Sequence, residues 1–150
     1  MQSLRSRLFI WLIRNRHLLK FKLKPEVVDD SFSVIEFRQE VDRLTASMKM
    51  PKGVSTEKLT IGGMNAEWII PANPSEGKVL MYIHGGGFIS GSCVTHRMHV
   101  AKFALECGLK SLVFDYRLAP EHPFPAAPDD CVTIFEWLVN NGYRPEDIVV

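Results

Sequence analysis

Three consecutive glycines directly after an apolar run place the tightest constraint on this chain. His84-Gly85-Gly86-Gly87-Phe88 follows Val79 to Ile83, and the small polar run Ser90-Gly91-Ser92 comes next. An apolar run of this kind, without polar alternation, reads as a parallel strand buried on both faces. Glycines at its end leave peptide N–H groups uncovered by any Cβ and able to approach a ligand closely. Donors exposed in this way can stabilise the oxyanion that forms when a carbonyl is attacked. The plainer alternative is a glycine-rich turn that only ends the strand, and the residues downstream weigh against it.

The rest of the chain reads as alternating elements. Leu4, Leu8, Trp11, Leu12, Leu18 and Leu19 form one stripe of a first helix, with Phe9, Ile10 and Ile13 spilling onto its other side and Pro25 after its end. Ser33 and Glu36 have the spacing of a capping box, and Val34, Phe37, Val41, Leu44 and Met48 continue a second helix that Pro51-Lys52-Gly53 stops. From Thr56 the period changes. Residues 58–61, the turn Gly62-Gly63 and residues 66–70 predict a β-hairpin. After the triglycine, Thr95 is expected to cap a helix running to Cys107, with Gly108 as its left-handed stop. Ser111 to Phe114 predicts a strand, Asp129 or Asp130 opens a helix that Asn141-Gly142 ends, and Ile148 to Val150 begins another strand. An antiparallel pair followed by strand, helix, strand, helix, strand is an α/β pattern whose later strands are parallel.

The second motif is Phe114-Asp115-Tyr116-Arg117-Leu118-Ala119-Pro120-Glu121-His122-Pro123-Phe124-Pro125-Ala126-Ala127. With His84-Gly85-Gly86-Gly87-Phe88 before it, and Ser92, Thr95 and His96 between, the chain from about Lys78 onward resembles the hormone-sensitive-lipase-like family of α/β-hydrolases. The resemblance implies an incomplete α/β-hydrolase fold. Residues 1–55 would be N-terminal cap helices. Residues 56–150 would be the first half of the hydrolase domain, with the strand at Ile148 beside Val79–Ile83. It also implies a carboxylic ester hydrolase of esterase or lipase type, acting on short- or medium-chain or lipid-like acyl esters through an acyl-enzyme, with no cofactor and no metal.

Site roles follow from the same resemblance. The backbone N–H groups of Gly86 and Gly87 are the expected oxyanion donors. His84 is read as a structural histidine that pins the glycine loop, not as a base, and Gly85 and Phe88 as parts of the same motif. Phe88 and Trp11 are candidates to line the acyl or alcohol pocket. Asp115, Arg117 and Glu121 are read as a scaffold in which Arg117 pairs one or both carboxylates and holds the proline-rich loop shut. A nucleophile elbow needs glycine two residues to either side of its serine. No serine here has both; Ser92 has Ser90 two before it and Ser111 has Leu109. None of the triad is therefore expected within these residues, and a second polypeptide carrying the catalytic half is a candidate partner. The alternative is a non-catalytic protein that keeps the oxyanion pocket to bind a ligand or partner.

Charge and cysteine usage narrow the remaining classes. The net charge of +1 gives no general case for nucleic acid, but residues 1–24 hold seven Lys or Arg and no acid, leaving 11 basic and 17 acidic residues for the rest. The basic first helix is read as a cap element or, alternatively, as peripheral membrane contact through residues 3–20. Cys93, Cys107 and Cys131 have no pairing or metal spacing, which fits a reducing, cytoplasmic setting. His96 and His99 lie three apart without a third ligand nearby, so they are read as part of a helix start and not as a metal site.

Overall fold

The computed structural model describes residues 4–15 and 32–150. It divides into two compact units, residues 1–32 and 33–150. In the first, α1 spans Leu4–Arg14, and the Asn15 side-chain amide donates to the Trp11 carbonyl at 2.8 Å, closing the last turn. The expected Leu18 and Leu19 of this helix lie outside the described residues.

The second unit opens with α2 (Val34–Ala46), whose N-cap Ser33 accepts from the Glu36 N–H. The helix stops before Met48. β1 (Val54–Ile61) and β2 (Met64–Pro71) then pair antiparallel with Ile61 opposite Met64. Only Gly62 and Gly63 separate them, at φ 56° and 84°. Two positive φ values in succession are what a two-residue type I′ hairpin turn demands, because its twist matches that of the strands.

β3 (Val79–Tyr82), α3 (Cys93–Cys107), β4 (Lys110–Phe114), α4 (Ala126–Asn140) and β5 (Ile148–Val149) complete the chain. The five strands run in the order β1-β2-β4-β3-β5. β2 meets β4 antiparallel, whereas β3 is parallel to β4 on one side and to β5 on the other, with Val79 opposite Ile148. The expected neighbour of the triglycine strand is therefore the observed one.

The period of two along each strand sorts the core into two faces. Trp68, Val79, Met81, Leu112, Phe114 and Ile148 pack with Ile134 and Leu138 of α4. Ile69 and Val113 pack with Val100, Ala101 and Ala104 of α3 on the opposite face. The sheet is thus the middle layer of three. Glu67, also on the α3 face, is buried and reaches Arg97 of α3 at 3.1 Å. Burial of β3 is one-sided: Val79 and Met81 are buried, while Leu80 and Tyr82 are half-buried. The reason is that α3 lies over β2 and β4.

Two helix starts differ from the sequence expectation. α3 begins at Cys93, not after Thr95: Ser92 is the N-cap and Thr95 sits three residues on, each hydroxyl accepting from the other's backbone N–H. Thr95 fills the reciprocal position that Glu or Gln usually takes in a capping box. α4 begins at Ala126, not at Asp129 or Asp130, and has no side-chain cap. Asp130 is unavailable for capping because Arg117 holds its carboxylate.

Candidate active site

β3 ends at Tyr82, and its continuation buries His84 directly before the glycines. The imidazole stacks on Tyr116, with centroids 4.1 Å apart and planes at 15°, and on His96 at 5.2 Å and 25°. Its Nδ1 lies 2.9 Å from the Gly85 carbonyl, an arrangement that places the ring proton on Nδ1. Tyr116 donates its hydroxyl proton to the His84 carbonyl at 2.7 Å. Burial lowers the His84 pKa against the opposite pull of the Gly85 carbonyl, so the ring is neutral at neutral pH. Its contacts are those of a group that anchors a loop.

The loop itself is made by residues with positive φ. Gly86 has φ 131°, Gly87 63° and Phe88 62°. The Gly86 carbonyl accepts from the N–H groups of Ile89 and Ser90 at 3.2 and 3.1 Å and from the Ser90 hydroxyl at 3.1 Å. That closes the turn so tightly that a Cβ on Gly86 would overlap the Ser90 carbonyl. Gly91 meets a similar limit, since a Cβ there would overlap the His84 ring and the Gly85 carbonyl. Gly85, Gly86 and Gly87 are exposed. Among the described residues, no protein acceptor takes the N–H of Gly86 or Gly87.

Phe88 is the one described non-glycine residue at positive φ, a conformation that persists only where its surroundings over-determine it. They do so here. The Phe88 carbonyl accepts from the Ala119 N–H at 2.9 Å. Its neighbour Ile89 accepts from Arg38 Nε of α2 at 2.6 Å. The same guanidinium donates to the Ala119 carbonyl at 2.6 Å and forks onto the two oxygens of Glu121 at 2.8 and 2.9 Å. One α2 turn further, Asp42 accepts from the Ser92 hydroxyl at 3.0 Å. A single helix thus holds the segment that follows the glycines, at Ile89 and Ser92, and ties it to the proline-rich loop.

The scaffold residues divide differently from the sequence expectation. Arg117 pairs with neither Asp115 nor Glu121. Its side chain grips Asp130 at 2.7–3.0 Å and its backbone N–H donates to the same carboxylate at 2.8 Å. Burial opposes the charge on Asp130, but the hydrogen bonds from Arg117 outweigh it and hold the carboxyl below its ordinary pKa. Glu121 faces Arg38, whose hydrogen bonds lower its pKa as well. Asp115 accepts from the Cys93 N–H at 2.6 Å and from the Asn65 amide at 3.4 Å, joining the end of β4 to the start of α3. Burial first, and the Asp115 charge next, push the Cys93 thiol upward, so it packs as an apolar filler. The His96 and His99 rings are 6.4 Å apart, and His96 Nδ1 is engaged by Thr95 Oγ1 at 2.7 Å.

Beside the glycine loop lies an open cleft of roughly 450 Å³ between Phe88, Ala119, His122, Phe124, Ala127 and Pro128, with Arg117 at its margin. It places Phe88 in an apolar recess next to the exposed donors. Trp11 belongs to the first unit.

Comparison with known proteins decides the family. Residues 80–150 match the sequence profile of the alpha/beta hydrolase fold family. An esterase of Acinetobacter venetianus is 32% identical over 113 residues, which cover 75% of this chain and 37% of that protein. An acetyl-hydrolase of Streptomyces hygroscopicus is 38% identical over 87 residues, covering 58% of this chain and 29% of the relative. Among solved structures, an esterase from the bacterial hormone-sensitive lipase family superposes with a TM-score of 0.74 at 33% identity, covering 99% of this chain and 46% of that one. An esterase/lipase from an uncultured bacterium gives 0.78 at 32% identity, covering 91% and 45%. The chain belongs to the hormone-sensitive-lipase-like family of α/β-hydrolases. It spans between about a third and a half of the length of these relatives.

Membership in this carboxylic ester hydrolase family gives the clamp on the glycine loop a testable weight. Arg38 and Asp42 carry no motif signal in the sequence, and Gly91 and Asp130 read there only as a loop glycine and a helix start. Arg38 and Asp42 share an i, i+4 face of α2, but nothing local links that face to residues some fifty to eighty positions on. Arg38→Ala should lower stability by about 2 kcal/mol through the two part-buried carbonyl bonds it removes, while its exposed fork onto Glu121 serves orientation more than stability. Arg38→Lys keeps the charge but cannot reach three acceptors at once, and should recover under half of the loss. Urea unfolding checks the size, and faster amide exchange at Ile89 and Ser90 checks the place. Unchanged exchange in Arg38→Ala would show that the loop holds its shape unaided.

Proposed function

We propose that the protein is a carboxylic ester hydrolase that works through an acyl-enzyme, and that this chain supplies its oxyanion donors. In that reaction a serine oxygen attacks the ester carbonyl carbon and the alcohol leaves with a proton. Water then attacks the acyl-serine and releases the acid. Negative charge develops on the former carbonyl oxygen in both steps, and the N–H groups of Gly86 and Gly87 are the groups offered to it. The observation that carries the reading is this pair of exposed donors, without a protein acceptor among the described residues, on a loop clamped by His84, Arg38 and Ala119. Fixed donors need no reorganisation when charge appears, which is what makes such a site effective. The apolar cleft beside Phe88 fits the acyl or alcohol group of a short- or medium-chain ester.

No serine in residues 1–150 has the flanking glycines of a nucleophile elbow, so the nucleophile, acid and base are assigned to further polypeptide. The 150 residues alone should not hydrolyse p-nitrophenyl acetate or butyrate above an unfolded control. Added to a polypeptide carrying the elbow, acid and base, the chain should give saturable turnover that a serine-directed phosphonate abolishes. A folded complex that binds butyrate at the glycine loop without turnover would overturn the catalytic reading in favour of a binding protein.

A further inference from the structure

The first compact unit contributes a helix that the proposed catalysis does not use. No residue of α1 is buried, and Leu4, Leu8, Phe9 and Trp11 are 83%, 59%, 65% and 54% exposed. At about 100° per residue, Trp11, Leu4, Leu8 and Leu12 fall in one arc roughly 100° wide. Arg7 and Arg14 lie along one flank of that arc and Arg5 along the other, with Phe9 beyond Arg5, while Ile10 and Ile13 sit opposite. Residues 1–24 hold seven Lys or Arg and no acidic residue, against 11 basic and 17 acidic in the rest of the chain.

An aliphatic stripe in which Leu4, Leu8 and Trp11 are exposed and Leu12 is half-buried, with cationic flanks, has the chemistry of a helix lying in a bilayer interface. Leucines enter the acyl boundary, tryptophan sits at headgroup depth, and guanidinium heads extend from the flanks to lipid phosphates. α1 has 11 residues, and no described helix is long and apolar enough to cross a membrane, so the fitting geometry lies along the surface. The complete absence of acidic residues over the first 24 favours an anionic surface over a neutral one. We propose that α1 docks this protein on an anionic lipid surface through the stripe Leu4, Leu8, Trp11 and Leu12. The proposal rests on α1 and the charge of residues 1–24, and stands or falls separately from the ester hydrolase reading.

Flotation of the 150-residue chain with vesicles of phosphatidylcholine, alone or mixed with phosphatidylglycerol, tests it, since aggregates sediment while bound chain floats. The mixed vesicles should carry the chain at low salt and release it as salt screens the attraction. Each basic residue near such a surface is worth roughly fivefold in partitioning. The triple variant Arg5→Glu, Arg7→Glu, Arg14→Glu should therefore lose on the order of a hundredfold or more. Brominated acyl chains should quench tryptophan fluorescence in the wild type and not in Trp11→Phe, because Trp68 is buried and Trp137 packs half-buried against the sheet core. Absence of flotation with anionic vesicles would overturn the proposal and leave the stripe to serve as a cap element. So would equal, salt-independent flotation with neutral vesicles, or quenching that persists in Trp11→Phe.

Discussion

Gly86→Ala should lower ester turnover about a hundredfold or more in the catalytically complete protein, with a much smaller change in KM. The substitution adds one methyl group at a place with no room for it. Its Cβ would overlap the Ser90 carbonyl, and the backbone stands at φ 131°, where side-chain-bearing residues are strained. The overlap is with backbone, so the loop has to move and carry the Gly86 and Gly87 N–H groups with it. Loss of one well-placed oxyanion donor typically costs about 3–4 kcal/mol of transition-state stabilisation. Gly87→Ala is the informative partner, because no atom lies within 4 Å of the Cβ it would add. It should show backbone strain at φ 63° without the collision, and a smaller loss. A kcat for Gly86→Ala within a few-fold of wild type, in a protein shown to be folded, would rule the loop out as the oxyanion site.

Phe114→Ala should destabilise the second unit by about 3–5 kcal/mol, a large share of what a domain of this size has to lose. Phe114 is fully buried at the end of β4 among the residues that pack on α4. Its ring meets Tyr116 edge-on at 6.2 Å, and Tyr116 in turn stacks on His84 and bonds its carbonyl. A cavity here therefore weakens the core and the support of the glycine loop together. Phe114→Leu keeps much of the volume and should cost less than about 1.5 kcal/mol. Urea unfolding with an unchanged slope is the measurement. A loss below about 1 kcal/mol for Phe114→Ala would mean that the neighbours close over the void.

The elements that sequence reasoning found best are those whose cause is local. The hairpin follows from Gly62 and Gly63, because a two-residue turn with both φ positive leaves the flanking strands one register. Gly108 ends α3 at φ 64° for the same kind of reason. The helix starts were less legible. Ser92 and Thr95 satisfy each other's backbone donors, yet Thr95 by itself is an equally good cap in the sequence. The start of α4 was misplaced because Asp130, a fine capping residue in isolation, is claimed by an arginine thirteen positions earlier.

The same division runs through the candidate site. Two motifs in the right order were enough to point to the family and its α/β architecture, and to a glycine loop at the end of β3. Backbone conformation at a run of glycines and burial of an apolar strand are short-range consequences of the residues themselves. Only the tertiary structure decided what holds that loop in place. Arg38 is bound to Glu121 across 83 positions of sequence, Gly91 is required because the His84 ring fills its Cβ site, and Arg117 takes Asp130 over its nearer neighbours Asp115 and Glu121. Charged side chains pair with whatever the folded path brings within about 3 Å and in line. That path is set by sheet order and helix packing, which no spacing along the chain encodes.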